Sequence, residues 1–181
     1  ALITGMYPST MGTHNMRTYN AYKKFNEPSI NIPSYSPIVP EGVRMFTEYF
    51  RKRGYYCTNN SKEDYNFKPL PNAWDESSRK AHWKNRPKGT PFFSVFNFGI
   101  THESQIWKQK NEPLLIDPDK LVVPPIFPDN DIIRKDLAVN YSNLIRLDKQ
   151  VGSILNELKS AGLYDNTLIF FYSDHGGPFP R

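Results

Sequence analysis

The chain has a single cysteine. Cys57 alone excludes an internal disulfide and a cysteine-based zinc site. Long apolar runs are absent as well: none approaches the roughly 20 residues that a helix needs to span a bilayer. Dense charge of one sign is also missing. The net charge is +5, but Lys and Arg gather only at Arg51-Lys52-Arg53 and thinly from Arg79 to Lys88. That density falls short of a nucleic-acid arm, and no nucleic-acid-binding motif accompanies it. Such residues read as solvated helix ends and loops, and their mild positive field would also steer an anionic substrate. There are no internal repeats and no low-complexity tracts. The start, Ala1-Leu2-Ile3-Thr4, has neither an initiator Met nor a charged n-region, so a preceding segment is expected.

A length of 181 residues with 38% hydrophobic content is enough for one domain with a real core. In residues 41–53, Val43, Phe46 and Phe50 share one face. Basic residues crowd the last turn, and Gly54 sits at the C′ position, so a helix is predicted. Tyr55 to Asn59 follows as a strand, with Cys57 as a buried structural thiol. Pro91 to Phe98 is a second strand. Asp131 to Ala161 is the strongest helix: Leu137, Tyr141, Leu144, Leu147, Val151, Ile154, Leu155 and Leu158 recur at three- and four-residue steps. Leu168 to Phe171 reads as a strand buried on both faces. This order predicts an α/β domain over residues 1–181, with a mainly parallel sheet flanked by helices. Prolines 28, 33, 37 and 40, and prolines 113, 118, 124, 125 and 128, mark two irregular excursions. In the polar stretch 64–90, Trp74 and Trp83 are the expected anchors.

The last strand runs into Ser173-Asp174-His175-Gly176-Gly177. Ligands of open α/β sheets bind beyond the carboxyl ends of the strands. A carboxylate beside an imidazole can hold a divalent cation, and the two glycines allow a sharp turn. The plainer alternative is that Asp174 only caps the next turn.

The segment from Asn140 to Gly177 resembles the sulfatase family, through Tyr141, Leu147-Asp148, Val151-Gly152, Leu155, Leu158, Gly162, Asp165-Asn166-Thr167 and Ser173-Asp174-His175-Gly176. Three further stretches resemble it in the same order: Leu2 to Pro8 with Gly12, Gly54 to Lys62, and Pro91 to Phe98 followed by Thr101-His102. The resemblance implies an alkaline-phosphatase-like α/β fold, here a partial domain lacking its first strand and its C-terminal part. It also implies hydrolysis of sulfate esters, on a sulfated small molecule or glycan, in an exported enzyme. In the family the nucleophile is a formylglycine made from the first residue of a Cys/Ser-x-Pro-Ser-Arg signature. Nothing here fits that signature, so the residue is expected upstream of Ala1, and this chain alone is expected to be inactive.

Carried over position by position, the resemblance makes Lys62 a sulfate-binding cation and His102 a sulfate ligand that can protonate the leaving group. Asp174 and His175 become ligands of a divalent metal, with calcium favoured over magnesium. Asp64 stands where the family usually has a proton-transferring His. His14, on the loop after the signature, is a candidate to face the substrate. Without the resemblance, Lys62 reads as a solvated lysine and His102 as a loop histidine. Two other functions stay open: a phosphodiester or phosphonate hydrolase of the same superfamily, and a non-catalytic sulfatase-like scaffold.

Overall fold

A computed structural model of the chain describes residues 1–15, 35–68 and 70–176. Residues 16–34, with Pro28 and Pro33, lie outside that set, as does Gly177. The chain forms two compact units, Ala1–Asn97 and Phe98–Arg181.

The first unit is built on three parallel strands, β1 (Tyr56–Asn60), β2 (Glu76–Ser77) and β3 (Phe92–Phe96), in the order β2-β1-β3. The expected parallel α/β architecture is therefore present. The register pairs Thr58 with Glu76 and with Ser94, so β1 is bonded on both sides. Its centre, Cys57-Thr58-Asn59, is buried. β2, in the polar stretch, carries no apolar run and was not foreseen. It forms because Asp75, just ahead of it, completes the ladder: its main-chain N–H donates to the Cys57 carbonyl at 2.8 Å, and its carboxylate accepts the Cys57 N–H at 2.7 Å.

Helix α1 (Phe46–Lys52) leads into β1 and starts later than its sequence pattern suggested. Val43 lies in a turn closed by the Pro40 carbonyl, and the Glu48 carboxylate accepts the Met45 N–H at 3.1 Å, which fixes the first helical turn at Phe46. Gly54 closes the helix at φ +82°, a left-handed conformation that a side chain would strain. One apolar cluster joins Met11, Met45, Phe67 and Ala73. Beside it, Phe93 stacks on Phe50 and Trp74. Trp83 is buried against Phe92, so both tryptophans act as the expected anchors.

Burial pushes the Cys57 thiol up to about 12, aided by the charge of Asp75 and opposed by Arg51. Burial also pushes Tyr56 up to about 12, aided by its hydrogen bond to Glu76. Both groups keep their protons in the folded state at pH values where the unfolded chain has lost them. Their stabilising contribution is therefore complete below pH 9 and is lost as the pH climbs towards 12. Urea midpoints measured from pH 8 to pH 11 should fall with pH, and Cys57→Ala should flatten that fall. An unchanged slope in the variant would contradict this account.

The second unit is dominated by α3 (Asp131–Ser160), within one residue of the predicted span. The Asn130 side chain accepts the Ile133 N–H at its start. Its buried residues are Leu137, Ala138, Val139, Leu158 and the polar Ser142 and Asn143; of the predicted apolar stripe, Tyr141, Leu147, Val151, Ile154 and Leu155 are half-buried and Leu144 is exposed. The polar residues win because they hold the proline-rich excursion. The Ser142 hydroxyl donates to the Ala138 carbonyl and accepts the Leu115 N–H at 2.8 Å, and Arg146 bridges Asn143 and the Pro113 carbonyl. Arg134 likewise donates to the carbonyls of Pro118, Asp119 and Leu121. A short helix, α2 (Ser104–Lys108), packs on α3.

The strand expected at Leu168–Phe171 is not formed. The segment is irregular, and Leu168, Phe170 and Phe171 are 88%, 81% and 69% exposed. A strand exists only through its ladder partners, and this unit contributes no strand among the described residues. The apolar run alone does not bury itself.

Candidate functional site

β1 ends in two asparagines, and the chain then runs without regular structure through Lys62 and Asp64. The structure brings these two side chains together, with Lys62 Nζ 3.7 Å from Asp64 Oδ2. A lysine has only donors and a carboxylate only acceptors, so the pair offers an anion-binding cation beside a proton acceptor. Both side chains are partly exposed, which limits what the ion pair adds to stability. Asn66 follows at φ +59°, and its amide donates to the Thr13 carbonyl at 3.0 Å. Asparagine tolerates this left-handed conformation better than most residues. The bond ties the loop of Lys62 and Asp64 to the loop of His14, whose side chain is exposed.

His102 lies on the segment that follows the carboxyl end of β3, one residue before the N-cap of α2. Its Nδ1 accepts the Ser104 N–H at 3.1 Å and lies 3.0 Å from the Ser104 hydroxyl. A main-chain N–H can only donate, so the neutral ring carries its proton on Nε2. That exposed nitrogen is then a hydrogen-bond donor, and a ring that takes up a second proton could pass one from Nε2 to a leaving oxygen and return to the neutral form.

Asp174 and His175 form a bend after the exposed apolar run, with Asp174 Oδ1 3.6 Å from His175 Nε2. The His175 Nδ1 contacts the Gly176 carbonyl at 3.1 Å. A carbonyl cannot donate, so Nδ1 bears the hydrogen, and in the neutral ring Nε2 presents its lone pair beside the carboxylate. The Ser173 hydroxyl donates to the His175 carbonyl and braces the bend. Two lone-pair donors side by side suit a cation, and second-partner contacts of this kind set the ligating tautomer of a histidine. The pair fits two positions of a divalent cation's shell. Among the described residues no group of three or more His, Cys, Asp or Glu is arranged to complete one.

Lys62, Asp64 and His14 thus belong to the first unit, and His102, Asp174 and His175 to the second. Sequence reasoning missed the residues that hold these loops: Asn59, Asn66 and Asn97 in the first unit and Ser104 in the second. The only available signal was polar amides at strand ends, where apolar residues would otherwise be expected.

The first unit thus carries a parallel α/β sheet with a cation–carboxylate pair after its central strand, and the second unit carries a carboxylate–imidazole pair. The chain belongs to the sulfatase family, whose model matches residues 1–180. It is 41% identical over 216 residues to an ulvan-active sulfatase of Formosa agariphila, an alignment covering 100% of this chain and 35% of that protein. It is 43% identical over 68 residues to human N-sulphoglucosamine sulphohydrolase, covering 38% of this chain and 14% of that enzyme. A second ulvan-active sulfatase of Formosa agariphila is 26% identical over 129 residues, covering 70% of this chain and 25% of that protein. The chain therefore spans about a third of the length of the first of these relatives. No solved structure matches it.

Proposed function

We propose that the polypeptide containing this chain hydrolyses sulfate esters of carbohydrates, and that residues 1–181 form part of its single catalytic domain. The observation that carries this reading is the family match over residues 1–180. The names of the relatives, one active on ulvan and one on an N-sulphated glucosamine, favour a sulfated glycan as substrate.

The roles follow from charge and proton inventory. Hydrolysis of a sulfate monoester moves negative charge onto the bridging oxygen, so the site needs fixed cations at the sulfuryl oxygens and an acid for the leaving alcohol. Lys62 binds the sulfate and holds the ester in place. His102 donates from Nε2 to the departing oxygen. Asp64, held next to Lys62, accepts a proton in the position where the family usually has a His, and His14 faces the substrate. Asp174 and His175 would hold the divalent cation, with calcium favoured over magnesium. When bound, that cation supplies polarisation of the sulfate. The nucleophile is a formylglycine from the family signature preceding these residues, and export places the enzyme with its glycan substrate.

Mass spectrometry of the full-length protein provides the test. The first residue of the signature should carry the aldehyde mass, and the protein should cleave an aryl sulfate in preference to a phosphodiester. Residues 1–181 alone should show no turnover. An unmodified signature residue with no sulfate release would overturn the enzymatic reading. A preference for the phosphodiester would move the activity to the other branch of the superfamily.

A further inference from the structure

The three parallel strands of the first unit all end at one side chain. Asn59 is 1% exposed and is the penultimate residue of β1. Its amide nitrogen donates to the Ser77 hydroxyl at 3.1 Å, at the end of β2, and to the Lys62 carbonyl at 3.2 Å. Its amide oxygen accepts from the Asn97 side chain at 3.0 Å, just beyond β3. Asn97 also donates to the Asn60 carbonyl, from its side chain at 3.3 Å and from its main chain at 2.7 Å. Both donors of Asn59 are committed, and its oxygen is occupied. A buried amide with every group engaged has one low-energy orientation.

We infer that Asn59 is a positioning residue: its amide fixes the main chain at Lys62 to the carboxyl edge of the sheet, so that the Lys62 ammonium is held ready for a sulfate group. This rests on the reading of Lys62 as the sulfate-binding cation. The physical reason is the length of the lysine side chain. Four rotatable bonds separate its charge from the backbone, so a mobile backbone would spread the ammonium over several ångströms. Misplacement on that scale is costly for a group that must meet a developing charge. Asn59 removes the backbone part of that freedom at the residue itself. Asn97 and Ser77 keep the Asn59 amide from rotating away.

Asn59→Asp is the informative variant. It keeps the shape, can still accept from Asn97 and can accept from the Ser77 hydroxyl. It turns a lone pair towards the Lys62 carbonyl and breaks that bond alone. In the full-length protein it should lower kcat/KM for a sulfate ester by about 10- to 100-fold, and by less than about twofold when Lys62 is already alanine. A merely structural role would give the same loss in both backgrounds. Ser77→Ala introduces no buried charge and guards against misfolding of the first variant. It should cost about threefold with Lys62 present and nothing without it. Equal losses in the two backgrounds, or full activity in both single variants, overturn the inference while leaving the role of Lys62 intact. Full activity of Lys62→Ala overturns the reading of Lys62 and the inference with it.

Discussion

Replacing His102 with alanine in the full-length protein should lower turnover of a sugar sulfate by about 10²- to 10⁴-fold, the range for loss of a positioned general acid. The loss should be much smaller for an aryl sulfate. A phenolate leaves without help, whereas a sugar alkoxide needs a proton as the bond breaks. The contrast between the two substrates is therefore more informative than either rate alone. It tests the acid role of the ring directly, because loss of a mere sulfate contact would slow both esters alike. Lys62→Ala should differ in kind: a lost sulfate contact should slow both substrates by similar factors, costing several kcal/mol of transition-state stabilisation. If His102→Ala slowed both esters equally, the histidine would be a sulfate ligand and not the acid.

Asp75→Ala should cost about 2–4 kcal/mol of folding stability, the largest effect expected outside the site. Asp75 performs two tasks with one carboxylate. It accepts the Cys57 N–H at 2.7 Å, inside the central strand. It also pairs with Arg51, whose Nε donates at 3.0 Å and whose Nη2 lies 2.8 Å away. Arg51 in turn donates to the Asn72 carbonyl at 2.7 Å. The ion pair is a quarter to a third exposed, so screening leaves it worth at most about 1 kcal/mol. The larger share comes from the Cys57 N–H, which would be left buried without an acceptor. Asp75→Asn separates the two contributions. It keeps an oxygen for Cys57 and should lose only about 1 kcal/mol. Urea unfolding of both variants, with unchanged slope, measures the difference. Equal losses would show that the ion pair dominates.

What could be read in advance follows the strength of each local signal. Helix α3 was legible because thirty residues repeat one period and end in recognisable caps. β1 and β3 were legible because apolar and aromatic residues concentrate in short runs beside Gly54 and Pro91. β2 was not, because two polar residues gain strand geometry only from the neighbouring strand and from Asp75. Leu168–Phe171 failed for the opposite reason: the composition of a strand was present, but the described residues of its unit provide no ladder for it. The site divides in the same way. The charged and imidazole side chains could be picked out by their chemistry. Nothing in the order of residues announced that Asn59, Asn97 and Ser77 meet across three strands, since those contacts span intervals of 18 and 38 positions. Side chains that carry chemistry are local facts, whereas the side chains that aim them depend on tertiary contacts.

The stretch Leu168-Ile169-Phe170-Phe171-Tyr172, which joins no strand ladder among the described residues, has a practical consequence. It carries neither charge nor proline, favours extended backbone and faces solvent. Segments of this composition stack on copies of themselves once the chain is concentrated. Preparations limited to these 181 residues will therefore precipitate more readily than their net charge of +5 would suggest. A lysine in place of Phe170 is the economical way to keep them in solution.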